Sequence, residues 1–512
     1  MSKNYQRIDL KNKIIYWLDA NLFGFFLPYY IQQKLEHESY AIINITNKPK
    51  TFFDQQKFVE FKKNWYLHDN IDLNDKKIDM QYLLSFEKKY RINLWSLAIN
   101  ERIFHRFNRL YNFSDDEILL ILQQECQLFE KILDEIKPDF FVTTEPPLHH
   151  HELFYELCRA KGIKVLMMSI PNIANKILIS EQTKKFDHME NYESTPSQNR
   201  NFEQLQKYLE EKKMSKQLSS YRSGFKTSKI LRLKSAINFL LMSNNSNIKT
   251  HYTYFGRTKL RVLCDALKMS LNARKRKSFI DKFLKHDIHT NEKFVYYPLG
   301  VDEERNQLIS TPFYTNQIEL IRNIAKSLPI DYKLYVKETP DESIRYWRSI
   351  SEYKQILSIP NVKLFHPASN TKQFLKNCSL VISTGGTSGF EAAFFAKPSI
   401  VIADLAYTIL PSVFRMDSLE QLRKMIKQSL ETSVESIDLD RYLLFLEKNT
   451  IDFNPYEIVN NYQQLFYFGA NLVDVTIESN KMKKFLQDNS SLFESLINEF
   501  IKKINDHKIG SS

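Results

Sequence analysis

The sequence predicts an α/β protein of two Rossmann-like halves facing a cleft, joined by a basic helical linker and followed by a helical tail. Three observations predict it. Apolar strand patterns alternate with amphipathic helix patterns through the first part of the chain and again from Phe294. A cation-rich block separates the two runs. From about residue 430 only helical spacing remains. The expected division is 1–180 for the first half, 181–290 for the polar linker and basic segment, 291–430 for the second half and 431–512 for the tail.

The first run opens with a strand in KIIYWLDA (13–20), an apolar helix from Phe23 to Leu35 and a strand in YAIINIT (40–46). A long helix is expected from Asp116 to Ile136, because apolar residues recur at helical spacing and Pro138 follows as a breaker. FFVTT (140–144) is the next strand, EPPLHHH a loop, and ELFYELCRAKG a helix closed by Gly162. IKVLMMS (163–169) completes the rhythm. The second run gives strands in FVYYPLG, YKLYVKE (332–338) and NVKLFHP (361–367), with helices in TNQIELIRNIAKSL (315–328) and TKQFLKN. LVISTGGTSGFEAAFFAKPSIVIAD (380–404) is a complete strand–turn–helix–strand unit. In open parallel sheets ligands bind beyond the carboxyl ends of the strands, so two such sheets place the expected site in the cleft.

The 512 residues are too many for one ordinary domain, and 43% hydrophobic content supports globular cores. The 4 cysteines are scattered with no CxxC pair, which argues against a disulfide framework or zinc knuckle and fits a reducing compartment. No apolar run reaches the roughly 20 residues of a membrane span, and the short N-terminal apolar stretch breaks at Asp19. A cytoplasmic protein is expected, with peripheral attachment to the inner face of the membrane open. Net charge is +12. Between Arg222 and His286 stand 16 Lys/Arg against Asp265 and Asp281, a local +14. Such a block either meets an anionic partner or is a solvated helical face. With no recognisable nucleic-acid module, an anionic membrane surface through 222–286 is the expected partner and nucleic acid is not.

Three of the 10 glycines lie within five positions, in Ser383-Thr384-Gly385-Gly386-Thr387-Ser388-Gly389-Phe390-Glu391. They fall where a buried strand meets a helix. Close backbone approach, helix N-terminal amides and three hydroxyls suit a phosphate or diphosphate. Glu391 is placed to accept from ribose hydroxyls. The pattern is neither a Walker A loop nor GxGxxG, so ATPase and dehydrogenase readings lose support. Lys337, at a strand end, can hold a phosphate as a point charge. In the first half, Glu145 and the imidazoles of His149, His150 and His151 follow a strand, where a cleft-rim general base would stand; Asp19 competes for that role. A metal is not expected, because adjacent histidines on a helix diverge and no pair has i,i+4 spacing.

The stretch FVYYPLGVDEERNQLISTPFYTNQIELIRNIAKSLPIDYKLYVKETP, followed by VKLFHPASNTKQFLKNCSLVISTGGTSGFEAAFFAKPSIVI, resembles the capsule polysaccharide biosynthesis/export family, whose members include Kdo-transferase-like enzymes. The resemblance implies a GT-B-like fold, a CMP- or UDP-linked nucleotide-sugar donor on Ser383 to Glu391, and Lys337 beside the donor phosphate. It implies a metal-independent, inverting glycosyltransferase without a cofactor, acting on a glycan or lipid-linked acceptor in surface polysaccharide synthesis. Two positions depart from the family. Gly300 and Thr339 stand where it usually carries histidine. His366-Pro367 would substitute only if its loop approaches. The departures keep a non-catalytic export or assembly factor in view, beside a UDP-sugar 2-epimerase and a glycerophosphotransferase on the same fold.

Overall fold

The computed structural model describes residues 11–74, 77–212, 214, 217, 229–242, 248, 250–289 and 291–510. Among them are two sheets. The first contains β1 (Lys13–Leu18), β2 (Glu38–Ile43), β3 (Lys63–Tyr66), β4 (Phe140–Thr144), β5 (Lys164–Ser169) and β6 (Lys176–Ser180). The second contains β7 (Lys293–Pro298), β8 (Tyr332–Lys337), β9 (Val362–Phe365), β10 (Leu380–Ser383), β11 (Ser399–Val401) and β12 (Val413–Arg415). A two-residue strand, β13 (Ile451–Asp452), returns to the first. The orders are β3-β2-β1-β4-β5-β6-β13 and β9-β8-β7-β10-β11-β12. The second sheet is parallel throughout, and the first is parallel except at β5–β6 and β6–β13.

The central strands are continuous apolar runs because helices cover both faces. On the first sheet, one face packs on Phe23–Gln32 and the other on Asp115–Ile136 and His149–Ala160. Asp115–Ile136 starts at a capping box between Ser114 and Glu117 and stops where Lys137 turns left-handed (φ 49) before Pro138. Gly162 (φ 74) closes His149–Ala160 as expected. The short β3, β12 and β13, of 4, 3 and 2 residues, are too brief to carry a strand pattern of their own and are made by pairing.

Each sheet changes direction once. The chain runs β1-β2-β3 outward, then restarts on the other side of β1 with β4, where Ile14 pairs with Phe140 and Tyr16 with Val142. The second half repeats this with β7 and β10, where Val381 pairs with Tyr296. The crevice at such a reversal is the preferred ligand site of the fold class. In the first half it lies between the ends of β1 and β4, and in the second between the ends of β7 and β10.

Two segments sit differently from the expectation. The tail is helical, but only Ser436–Lys448 packs on the second half, through Leu439, Tyr442, Leu443 and Leu446. After β13 the helices Pro455–Phe466, Ser479–Asp488 and Ser490–Gly510 cross back and close a face of the first sheet, with Phe493, Leu496 and Phe500 against Phe23 and Phe26. The linker region is likewise built in. Leu205 and Leu209 join the second half, Tyr252 the first, and Ile280 and Leu284 the second. Residues 218–228 and 243–247, which belong to the expected basic region, lie outside the described residues. No helix among the described residues is long and apolar enough to cross a membrane.

Candidate functional site

A cavity of about 450 Å³ opens at the crevice between β7 and β10. Lys337, Ser383, Thr384, Gly386, Thr387, Ser388 and Glu391 all line it, so most of the residues singled out in the second half come together. Gly385 and Gly389 do not. A Cβ on Gly385 would stand 2.8 Å from the Ala403 Cβ, and one on Gly389 2.7 Å from Val401 Cγ1. These two glycines serve close packing of the turn onto β11 and its following loop. Gly386 alone has room beside it, with Ser383 Oγ 3.6 Å from the Cβ position. Two of the turn's amides are already used, since Gly385 N and Gly386 N donate to Ser383 Oγ at 3.3 and 3.0 Å.

Lys337 is buried and its ammonium donates to Pro367 O at 3.1 Å. Burial pulls its pKa down to about 8, against the partly compensating charges of Glu338 and Asp341. The strand end is held rigidly by Glu338, which accepts from Arg348 Nε (3.0 Å), Tyr353 Oη (2.9 Å) and Thr339 N (2.7 Å). Arg348 also pairs with Asp302 at 2.5 Å and donates to Gly300 O. The Gln317 carboxamide brackets Gly300 on both sides, accepting from its N–H and donating to its C=O at 2.9 Å each. The space that a side chain at Gly300 would need is occupied by Gln307, whose amide donates to Thr384 Oγ1 at 2.5 Å. His366 points away from the cavity. It bonds Asp281 at 3.1 Å and stacks on His286, while Pro367 supplies the cavity wall.

In the first half, Asp19 follows β1 and Glu145 follows β4, so the two carboxylates flank the same crevice. Asp19 accepts from Asn21 N at 2.7 Å. Burial raises its pKa to about 7, partly offset by that bond. Its neighbour Ala20 lines a second cavity of about 450 Å³, together with Asn44, His150 and Tyr467. The Oε1 of Glu145 is shielded from solvent and makes no hydrogen bond. The loop after Glu145 is latched to the other half. Arg305 Nε donates to Pro146 O at 2.9 Å, and Arg305 lies 3.5 Å from Glu152. Arg106 pairs with Asp302 at 3.2 Å across the same gap.

The three histidines were expected on a loop at the cleft rim. They form the first turn of a helix instead, and each is at most 2% exposed. His149 lies between two buried carboxylates, Nδ1 to Glu101 at 2.9 Å and Nε2 to Glu125 at 3.1 Å. Burial alone would lower its pKa, but Glu125 and Glu101 outweigh it and raise the value to about 10. His150 and His151 go the other way, pushed far below the usual imidazole range mainly by burial. None of the three titrates as a base near neutrality. Contrary to the divergence expected of neighbouring histidines, ligand atoms of His149, His150 and Glu125 lie within 4.8 Å of one another. Hydrogen bonds link two of the three residues, while His149 Nε2 and Glu125 Oε2 make none. Asn44 Nδ2 donates to His150 Nε2 (2.9 Å), His150 Nδ1 then faces Tyr252 Oη (3.1 Å), and Tyr252 donates to Glu125 Oε1 (2.9 Å). Glu101, Glu125 and Tyr252 were not singled out in the sequence. They come from segments far from His149 and have no shared motif.

The basic block contributes two helices, Lys229–Met242 and Lys259–Phe283. Ile230, Leu233, Ile237, Leu240 and Leu241 on the first are exposed, as are Leu260, Leu267 and Leu271 on the second. Phe239 packs against the first core. Arg276 is bound to the second half through Tyr346 O (3.1 Å) and Trp347 O (2.6 Å).

Solved structures similar to the chain include UDP-GlcNAc 2-epimerase from Methanocaldococcus jannaschii in complex with UDP-GlcNAc and UDP, at 12% identity over 85% of this chain and 99% of that one, TM-score 0.24. UDP-GlcNAc 2-epimerase from Neisseria meningitidis bound to UDP-GlcNAc matches at 13% identity over 88% and 98%, TM-score 0.21. Thermosulfurimonas dismutans KpsC, a beta Kdo 2,7 transferase, matches at 12% identity over 72% and 98%, TM-score 0.26. No curated protein matches the sequence. The sequence match covers the second linker helix, the Lys337 strand and the Gly-rich turn: residues 187–413 match the capsule polysaccharide biosynthesis protein family.

Proposed function

We propose that the protein is a glycosyltransferase of surface polysaccharide synthesis, moving a sugar from a CMP- or UDP-linked donor to a glycan or lipid-linked acceptor with inversion. The observation that carries this reading is the cavity at the β7/β10 crevice, where a buried lysine faces a hydroxyl-rich turn. Lys337, Thr384, Thr387 and Ser388 hold the donor phosphate, and Glu391 accepts from the ribose. As the bond to the sugar breaks, charge grows on the leaving phosphate, and preformed donors at a low-dielectric wall stabilise it without reorganising. Asp19, with its pKa near 7, takes the proton of the acceptor hydroxyl, and Glu145 lines the opposite side of the crevice. No metal or cofactor is assigned to this reaction.

Incubation with nucleotide sugars, with and without capsule-type acceptors, tests the reading. A transferase releases nucleotide only when acceptor is present. Interconversion of the sugar would make the protein an epimerase, and inertness towards every donor would favour an assembly factor.

Lys337 gives a pH signature. Phosphate binds the charged ammonium, so nucleotide affinity should be level below pH 8 and fall above it by up to roughly tenfold per pH unit. Calorimetric titration with UDP and CMP at pH 7 and 9 measures this. Lys337→Met should bind weakly and without the slope; a variant that kept the slope would remove Lys337 from the site.

The exposed apolar residues of the two basic helices support attachment to an anionic bilayer, cations at headgroups and apolar side chains at the boundary. Sedimentation with anionic vesicles should show binding that weakens as salt rises. Replacing Arg274, Lys275 and Lys277 with Gln should reduce it, while Arg276 is kept because it ties the helix to the second half. No sedimentation at low salt would leave the block a structural connection.

A further inference from the structure

A further cavity, of about 810 Å³, lies where the two halves meet the basic helix Lys259–Phe283. Its wall takes Arg102 and Arg109 from the first half, Arg257 and Asp265 from the linker region, and Glu303 and Arg345 from the second half. That is four arginines against two carboxylates. Both carboxylates are already engaged. Asp265 accepts from Arg109 Nη2 at 3.1 Å and Nε at 3.2 Å, and Glu303 lies 3.4 Å from Arg345. Arg102 donates to Pro147 O at 2.6 Å and pairs with no carboxylate among the described residues. Arg257 makes neither an ion pair nor a side-chain hydrogen bond among them.

The backbone at Arg257 is pinned all the same. Its N–H donates to Tyr254 O at 3.0 Å. Gly256 before it (φ 72) lies so close to the first half that a Cβ would stand 2.1 Å from Leu110 O. Thr258 after it caps the helix, with Oγ1 accepting from Arg261 N at 3.3 Å. A fixed turn therefore presents an exposed guanidinium that no carboxylate pairs with. Desolvation by the cavity walls pulls its pKa below the usual value; Tyr254 and Asp265 oppose this, and Arg109 adds to it. An anion would relieve such a charge, and the planar guanidinium fork fits a carboxylate or a phosphate bidentately. Arg257 also lines the second cavity, which reaches Ala20 beside Asp19. Ile103, Leu148, Val262 and Val473 are common to both walls. The two spaces are thus continuous past Arg257, from the end of β1 to the gap between the halves.

We propose that Arg257, supported by Arg102, binds an oxyanion group of the acceptor, a phosphate or a sugar carboxylate, so that the acceptor lies along this path with its reacting hydroxyl at Asp19. The assignment to the acceptor rests on the transferase reading above; the anion site itself does not.

Calorimetric titration of the full chain with pyrophosphate and with glucuronate tests the site, in a Lys337→Met background that removes the cation of the donor cavity. At least one probe should bind. Adding Arg257→Gln should weaken that binding roughly 10–100-fold, and Arg102→Gln should weaken it less. Arg257→Lys should fall between wild type and Arg257→Gln, since it keeps the charge and loses the fork. Lys268→Gln, exposed on the same helix, controls for overall charge and should change nothing. Thermal melts confirm that each variant is folded. Tighter binding of pyrophosphate points to a phosphate-bearing acceptor, and tighter binding of glucuronate to an acidic sugar. Binding of neither probe, or binding unmoved by Arg257→Gln, overturns the anion site. So does an equal loss in Lys268→Gln. Once transfer is measured, Arg257→Gln should raise the KM for an acceptor bearing that group and leave kcat nearly unchanged. An unchanged KM overturns the assignment to the acceptor and leaves the anion site standing. If no nucleotide sugar reacts with any acceptor, the transferase reading falls and the acceptor assignment falls with it.

Discussion

Asp19→Asn should lower turnover by roughly 10²–10⁴-fold, the usual cost of removing a general base, while making the protein more stable at alkaline pH. Both effects have one cause. Burial at the end of β1 lifts the carboxyl to about 7, so near neutrality it is ready to take a proton but costly to ionise. A base works in its ionised form, so the wild-type rate should climb with pH up to about 7 and then level. The linkage runs the opposite way for stability. The folded pKa lies above the usual 3.8, so the native chain holds this proton more tightly than the unfolded chain between about pH 4 and 7. The Asp19 contribution therefore becomes less favourable as pH rises through that window. Asparagine cannot ionise, and its advantage should appear at pH 8 and shrink at pH 5. Rate–pH profiles and thermal melts at those two values check both halves. Turnover within a few-fold of wild type would discharge Asp19 and make Glu145→Gln the deciding variant, since Glu145 flanks the same crevice.

The second large effect is on folding. His149→Gln should cost roughly 3–5 kcal/mol, the usual range for breaking one partner out of a buried charge pair. Glu101 and Glu125 are 2% and 0% exposed at their side chains, and the imidazolium between them is their counter-charge. Glutamine would leave two buried carboxylates facing a neutral amide. The folded pKa of His149 is raised from the usual 6.5 to about 10. Its stabilisation is therefore complete below pH 6.5 and is lost as pH rises towards 10. Urea unfolding at pH 6 and pH 9 should show that loss in wild type and not in the variant. Adding Glu101→Gln should recover part of the stability by removing one unpaired charge. A loss below about 1 kcal/mol in His149→Gln would mean that the imidazole is not the ion joining these helices.

Much of the fold could be read from local pattern. FFVTT and TKQFLKN fall on the strand and helix expected of them, residue for residue. Their apolar spacing and flanking breakers are properties of a few consecutive residues. The turn after β10 was visible for the same reason, as glycines and hydroxyls concentrated where a buried strand ends. What spacing could not tell was which glycine did what. Gly385 and Gly389 answer to Ala403 and Val401, residues from the next strand and its loop, and only their packing shows it. His149, His150 and His151 were misplaced because EPPLHHH reads as a polar loop. Nothing local shows that Glu101, 48 residues earlier, receives both the backbone N–H and the ring of His149.

The sequence by itself determined two α/β halves, a cation-rich connection, the Gly-rich turn and the carboxylates at strand ends, because periodicity, charge and turn chemistry are carried by neighbours in the chain. Only the tertiary structure decided that Asp19 and Glu145 share one crevice, that the final helices close the first half, and that Gln307 enters the space left at Gly300. Those depend on strand order and on the volume left between side chains distant in sequence. Such contacts are selected by burial and close packing of the whole molecule, for which a short window of residues carries no signal.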